Sequence, residues 1–344
     1  MNFKKRLFKY WIKCYCYNNT YILWAKRNIR PAYLSNLLLL VTSPYILVTW
    51  VISIIYEGII GKKKIHKFIL IEESKQFKHD LAMVSISKNE GPYIKEWIDY
   101  HKLIGFTKFY FYDNESNDDT QEILKPYIKQ GVVEYTLILG KARQLDAYND
   151  AINKHKNECR WMAFMDMDEY LMPMKPENNI IDILHRLTRE TGAAGIGINW
   201  AVFGSSGHTT SPNGLIIENF THRSTNMHWT NFLIKTICNP RLVKNYISPH
   251  YPLYKLGAYS IGESNKKRLW GWFCHDVNYQ NIRINHYFTK SKEQYIQKRA
   301  RGLGDRIGQY DLEKFNLYDL NDIEDNSMKY YAELLKKQQT IYFI

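Results

Sequence analysis

Three carboxylates in four positions, Asp166, Asp168 and Glu169, close an apolar run, Trp161-Met162-Ala163-Phe164-Met165. A short apolar run bounded by polar residues predicts a buried strand. In an open α/β sheet the C-terminal end of such a strand is where ligands bind. Positions i and i+2 share a side in strand geometry, so Asp166 and Asp168 can turn to one cation while Glu169 faces away. Hard divalent cations of the magnesium or manganese kind take oxygen ligands and bridge to substrate phosphates. The same spacing suits a solvated acidic loop, so the rest of the chain must decide.

The elements that would position this stretch begin at Asp80. Leu81 to Ser87 predicts a strand, Lys88 to Pro92 a loop, and Tyr93 to Leu103 a helix with Ile94, Trp97 and Ile98 on one face. Lys108 to Tyr112 predicts a second strand ending at Asp113. Asp118 or Asp119 can cap the next helix. Val132 to Leu137 is a third strand, Arg143 to His155 a third helix, and Trp161 to Met165 the fourth strand. Such alternation implies a doubly wound, mostly parallel sheet with right-handed crossovers. No Gly-x-Gly-x-x-Gly follows the first strand, and no Walker-type phosphate loop is present. Beyond Pro173 the pattern is irregular. It predicts a helix over Ile180 to Arg189, and strands at Ala194–Trp200, Leu215–Ile217, Phe232–Ile237 and Ile282–Tyr287. A basic helix over Lys292 to Arg301 and a surface-lying helical tail over Asp319 to Gln338 complete the reading.

The 344 residues carry a formal net charge of +13. Residues 1–79 hold fourteen Lys and Arg against three Asp and Glu, a balance of +11, leaving +2 for the remainder. A near-neutral body argues against a nucleic-acid binder. A basic flank around a membrane segment fits the distribution better. Leu37 to Tyr56 is a twenty-residue stretch without charge, preceded by basic and aromatic residues and followed by Lys62-Lys63-Lys64. It is long enough to cross a bilayer. Pro44 and its hydroxyl residues also suit a broken helix that dips into one leaflet, and basic residues on both flanks leave orientation open. Gly61 to Lys78 reads as a charged linker. Five cysteines, Cys14, Cys16, Cys159, Cys238 and Cys274, match no zinc or disulfide pattern and suit reduced thiols.

Several ordered motifs resemble glycosyltransferase family 92 and the related family-2-like enzymes. They are Lys88-Asn89-Glu90; Glu96-Trp97 with His101 and Gly105; Tyr112-Asp113-Asn114 with Ser116 and Asp118; Gln144 with Ala147-Tyr148; and Trp161 to Glu169. They continue through Trp200, Phe203 to His208, Pro212, Gly214-Leu215, Glu218-Asn219-Phe220, Lys235 with Pro240, and Asn285-His286-Tyr287 with Lys290-Ser291. The resemblance covers roughly residues 80 to 300. It implies a GT-A fold with a C-terminal acceptor region, a divalent metal, usually manganese, and a nucleotide-sugar donor. Family members are mainly inverting galactosyltransferases using UDP-galactose.

On this resemblance Asp168, Asp166 and His286 are the metal ligands, Asp166 alternatively contacting the ribose. Lys88, Asn89, Glu90 and Asp113 frame the nucleoside. Glu90 could equally cap the next helix. Arg143 and Gln144, at a helix N-terminus that favours anions, face the diphosphate. Lys290, Lys298 and Arg301 could neutralise phosphate, although a solvated basic face is the plainer reading of Lys298 and Arg301. Inversion needs a general base. Acids are sparse after Glu190, and Glu218 is preferred over Glu263. Trp200 and His208 are candidate sugar contacts.

The resulting expectation is a metal-dependent, membrane-associated glycosyltransferase acting on a glycan or lipid-linked acceptor in cell-surface polysaccharide synthesis. A basic membrane-associated segment spans 1–79, a catalytic domain 80–310 and a helical tail 311–344. The catalytic domain would be cytoplasmic at a bacterial inner membrane, with a Golgi type II protein as the alternative. A non-catalytic carbohydrate- or nucleotide-binding membrane protein is the competing reading. An aspartyl-nucleophile phosphotransferase would carry its Asp-x-Asp on the first strand, not after the fourth.

Overall fold

The computed structural model describes residues 32–56, 61–264, 266–269, 271–300 and 314–341. Residues 1–31, with Cys14 and Cys16, and Arg301 lie outside them.

Four strands, β1 (His79–Ser87), β2 (Lys108–Asp113), β3 (Val133–Leu137) and β4 (Cys159–Phe164), alternate with α4 (Gly91–Leu103), α5 (Thr120–Lys129) and α6 (Gln144–His155). The preceding helices are α1 (Ala32–Val41), α2 (Ser43–Tyr56) and α3 (Lys62–Glu73). After β4 come β5 (Glu169–Pro173), α7 (Ile180–Thr191), β6 (Gly195–Val202), α8 (Ile216–Asn219), β7 (His222–Arg223) and β8 (Ile234–Cys238). The chain then forms β9 (Val243–Ser248), β10 (Tyr251–Tyr254), β11 (Ser260–Gly262), β12 (Ile282–His286), α9 (Lys292–Ala300), α10 (Lys314–Tyr318), β13 (Ile323–Glu324) and α11 (Lys329–Ile341).

The main sheet runs β3-β2-β1-β4-β8-β6-β12-β5, with β11 added beside β6. Strands β1 to β4 are parallel, as their alternation with helices requires. β8 lies antiparallel between β4 and β6, and β5 antiparallel beside β12. The two-residue pleat sorts the core. Leu81 and Met83 of β1 and Trp161 and Ala163 of β4 pack with Ile94, Trp97 and Leu124 of α4 and α5. Ala82, Val84, Met162 and Phe164 pack with Ala147, Tyr148 and Ala151 of α6 on the opposite face.

Several expectations change. The uncharged stretch 37–56 is broken at Thr42, just before Pro44, which lacks the amide needed to continue α1, so α1 and α2 are separate helices. No helix among the described residues is long and apolar enough to cross a membrane. The supposed linker 61–78 contains α3, fixed by its acids to the sheet. Residues 215–217 begin the short helix α8 rather than a strand, because the buried Glu96 carboxylate accepts from the Ile216 and Ile217 amides at 2.8 and 3.1 Å. The tail is not surface-lying throughout: Met328, Tyr331, Ala332 and Leu335 are buried in the core.

Candidate functional site

The C-terminal ends of the parallel strands meet at one edge. Ser87 and Asp113 are register partners across β1 and β2. β4 ends at Phe164, and the chain turns through Met165 to Asp168 into β5. Glu169, its first residue, is paired with His286, the last residue of β12. That turn removes the strand alternation on which the outward placement of Glu169 rested. Glu169 is buried on the site's side, and its Oε2 accepts from the Asp166 amide at 2.9 Å.

Two charged groups result. In the first, fully buried Lys235 from β8 donates to Asp166 at 3.0 Å and lies 3.4 Å from Glu169. Gln144 at the start of α6 also donates to Asp166, at 2.6 Å. Burial alone would lower the Lys235 pKa. Asp166 and Glu169 outweigh it, and the ammonium is held well above its ordinary value. Burial, against the pull of Lys235, pushes Glu169 up to about 8. The Lys235 ammonium thus sits between the Asp166 and Glu169 carboxyl groups.

The second group is Asp168, His286 and Lys298. His286 Nε2 lies 3.3 Å from Asp168 Oδ2, and Lys298 from α9 bonds the same oxygen. Lys298 therefore turns inward instead of forming a solvated helix face. Burial would raise the Asp168 carboxyl, yet Lys298 and His286 hold it well below the carboxylate range. Burial lowers His286 against the opposing effect of Asp168, leaving a neutral imidazole. Lys290 lies 3.8 Å from Glu90 and 3.7 Å above the Tyr93 ring, and its charge also acts on Asp168 and Lys298. Glu90 belongs to this electrostatic cluster. It occupies the cap position of α4 without a side-chain cap bond.

Other candidates are placed differently. Asp113 is buried, with its oxygens accepting from the Ser116 amide at 2.9 Å and the Tyr135 hydroxyl at 2.8 Å. Asn89, at a φ of 52° that asparagine tolerates, locks two loops together: its amide donates to Ser116 and its side chain accepts from the Asn117 amide. Lys88 lies in the same loop. Arg143 pairs with Asp146 at 3.1 Å, one helical turn away and partly exposed. Glu218 is not brought to the carboxylates; it bonds Lys336 on α11, near the surface. Glu263 is taken up by the Gln280 and Asn281 amides, both at 3.0 Å.

No three His, Cys, Asp or Glu side chains among the described residues converge on a metal position. Asp166, engaged by Lys235 and Gln144, does not complete the expected three-ligand set. Asp168 and neutral His286 present an oxygen and a nitrogen donor side by side, with the Lys298 ammonium on the same Asp168 oxygen; a divalent cation there would take that lysine's place and draw its other ligands from phosphate and water. Several buried polar atoms here lack hydrogen-bond partners: Ser87 Oγ, Glu169 Oε1, His286 Nδ1 and Trp200 Nε1. Trp200 stands with its ring 4.2 Å from that of His286 and 5.2 Å from that of His250. Lys235 stood in the sequence as a motif residue with Pro240 but without a role; its partners required the antiparallel insertion of β8.

The sheet thus gathers carboxylates, an imidazole and lysines at its C-terminal edge. The model of glycosyltransferase family 92 matches residues 87–301, well over half of the chain, and the chain belongs to that family. A family 92 protein of Arabidopsis thaliana is 26% identical over 253 residues, covering 68% of this chain and 43% of the relative. One from Ricinus communis is 26% identical over 161 residues, 44% of this chain and 28% of its own length. A galactan beta-1,4-galactosyltransferase of Arabidopsis thaliana is 27% identical over 117 residues, 30% of this chain and 23% of that protein. The chain thus spans less than half the length of these curated relatives. Among solved structures, S. aureus TarS 1-349 in complex with UDP is 15% identical, covers 47% of each chain and has a TM-score of 0.33.

Proposed function

We propose that this chain transfers a sugar from a nucleotide-sugar donor, UDP-galactose foremost, to a glycan acceptor, on a GT-A-type sheet. The observation that carries this reading is the Asp168–His286–Lys298 group at the sheet edge, beside buried polar atoms without partners. A divalent cation, manganese or magnesium, bound by Asp168 and His286 would neutralise the leaving diphosphate. Lys298 and Lys290 lie where they add positive charge on the same side as the glycosidic bond breaks. Lys235 fixes Asp166 and Glu169, and Gln144 holds Asp166 toward α6, so Asp166 acts from behind the ligands or on the ribose. The Trp200 indole N–H is available to a sugar or phosphate oxygen. Glu90, inside the cluster, replaces Glu218 as the favoured carboxylate for deprotonating the acceptor.

Membrane association belongs to the same proposal. The exposed apolar α1 and α2, followed by Lys62 to Lys64, suit attachment to the cytoplasmic face of a bacterial inner membrane and a role in surface polysaccharide synthesis. Incubation with individual UDP- and GDP-sugars plus manganese, with nucleotide release as readout, tests the activity. Release with one donor, lost on chelation and in Asp168→Asn, is expected. No release with any donor would favour a non-catalytic binding protein.

A further inference from the structure

Helix α3 lies across the edge of the sheet opposite the site. Its first contact is at Gly61, approached so closely by Gly257 that a Cβ on Gly257 would lie 2.9 Å from the Gly61 Cα. Gly257 precedes β11, which runs parallel to β6 from its first residue. Further along, His66 packs on Gly192 just before β6, and its Nε2 is 3.3 Å from the Arg189 carbonyl oxygen. At the other end of α3, Glu72 accepts from Arg241 at 2.7 Å and from Asn239 at 2.8 Å, just past antiparallel β8. Arg160, at the start of β4, donates to the carbonyls of Glu72 and Lys75 at 3.1 and 2.6 Å. Every one of these partners marks the N-terminal edge of the parallel strands. Ser87, Asp113, Asp168 and His286 mark the C-terminal edge.

The chain enters α3 from α2 through only four residues, 57–60, a reach of at most about 14 Å. The ten and fourteen residues of α1 and α2 contain no charge and leave Leu37, Leu40, Val41, Val48, Ile52 and Ile55 exposed. At 1.5 Å per residue these helices are roughly 15 and 21 Å long, short of a hydrocarbon core of about 30 Å. The strongly basic first 79 residues complement an anionic lipid surface.

We propose that α1 and α2 seat the N-terminal edge of the sheet on an anionic bilayer, so that the transfer site faces away from the lipid. The nine residues of β1 separate the two edges by about 30 Å. The acceptor is therefore the distal end of a glycan that projects from the surface, or a soluble one, and not a sugar at headgroup level. This inference rests on the membrane attachment proposed above.

Two exposed leucines mark the edges: Leu256 beside Gly257, and Leu139 beyond β3. Leu256→Cys and Leu139→Cys, each made in full-length protein carrying Cys14→Ser and Cys16→Ser, are labelled with a fluorophore. Cys159, Cys238 and Cys274 are buried and stay unlabelled in the folded protein. Each sample is mixed with phosphatidylglycerol/phosphatidylcholine vesicles containing a headgroup energy acceptor. Flotation with the vesicles is expected, with several-fold stronger quenching at position 256 than at 139. Equal quenching, or stronger quenching at 139, would overturn the orientation while leaving the attachment standing. Failure to float, or self-association without lipid binding, would overturn both. Loss of flotation on Leu37→Gln/Val48→Gln, with nucleotide release from donor sugar unchanged, would support the assignment of the apolar helices as the seat.

Discussion

The two edges of one sheet use charged residues in opposite ways. At the N-terminal edge Glu72, Arg160 and Arg241 are spent on structure. Glu72 meets Arg241 and Asn239, Arg160 meets three backbone carbonyls, and the Arg241 and Arg160 guanidiniums lie against the Phe77 ring, at 4.2 and 4.9 Å respectively. At the C-terminal edge charges are packed together while neighbouring polar atoms are left without partners. Buried polar atoms are normally satisfied. Partnerless buried atoms also occur near the N-terminal edge, at His79 Nε2 and Trp161 Nε1, so the contrast lies in the charges: dispersed into a clamp at one edge, concentrated into a cluster at the other.

Substitutions at the two edges should break differently. Asp168→Asn should lower the kcat of the folded protein by about a thousandfold or more, as expected for loss of a principal group stabilising the leaving charge, alongside a loss of stability from the unpaired Lys298. Arg241→Met should lower stability and spare kcat. Breaking a buried ion pair costs about 3–5 kcal/mol, visible in urea denaturation, while the kcat of the folded fraction stays within about twofold. A large kcat loss in folded Arg241→Met would erase the distinction between the edges.

A third test concerns Glu96, which lies between α4 and α8. Burial raises its pKa from the ordinary 4.5 to about 7 despite two backbone amide donors. The folded state then binds a proton that the unfolded chain releases. Its contribution to stability is present below about pH 4.5, falls as pH rises through 7, and is flat above, a span of about 3 kcal/mol. Glu96→Gln should flatten that slope in chemical denaturation measured from pH 5 to 8. An unchanged slope would show that Glu96 is already ionised in the folded protein.

The smallest effect is expected at Glu218, whose partner Lys336 is half-exposed. A surface pair of this kind contributes at most about 1 kcal/mol, and Glu218→Gln should alter kcat by less than about twofold. Glu90→Gln should cost about a hundredfold if that carboxylate takes the acceptor proton. The opposite ranking in a kcat comparison would restore Glu218 as the base.

Much of this was legible from local pattern. Period-two and period-3.6 spacing located β1 to β4 and α4 to α6, because each of these elements buries its own regular face. It also placed Asp113 at the end of β2; Asp168 lies within the turn that follows β4. The charge count located the basic segment, and ordered motifs implied the family. Local pattern could not reveal the turn that makes Glu169 open β5, since that strand is defined by pairing with β12, more than a hundred residues later. Nor could it reveal Lys235 reaching Asp166, Lys298 turning inward, or Glu218 leaving the cluster. Those placements depend on which distant strands become neighbours. The sequence by itself determined which residue types are present and which elements form. Only the tertiary structure decided which charges meet, because an ion pair's strength is set by separation and burial, and neither is a property of spacing along the chain.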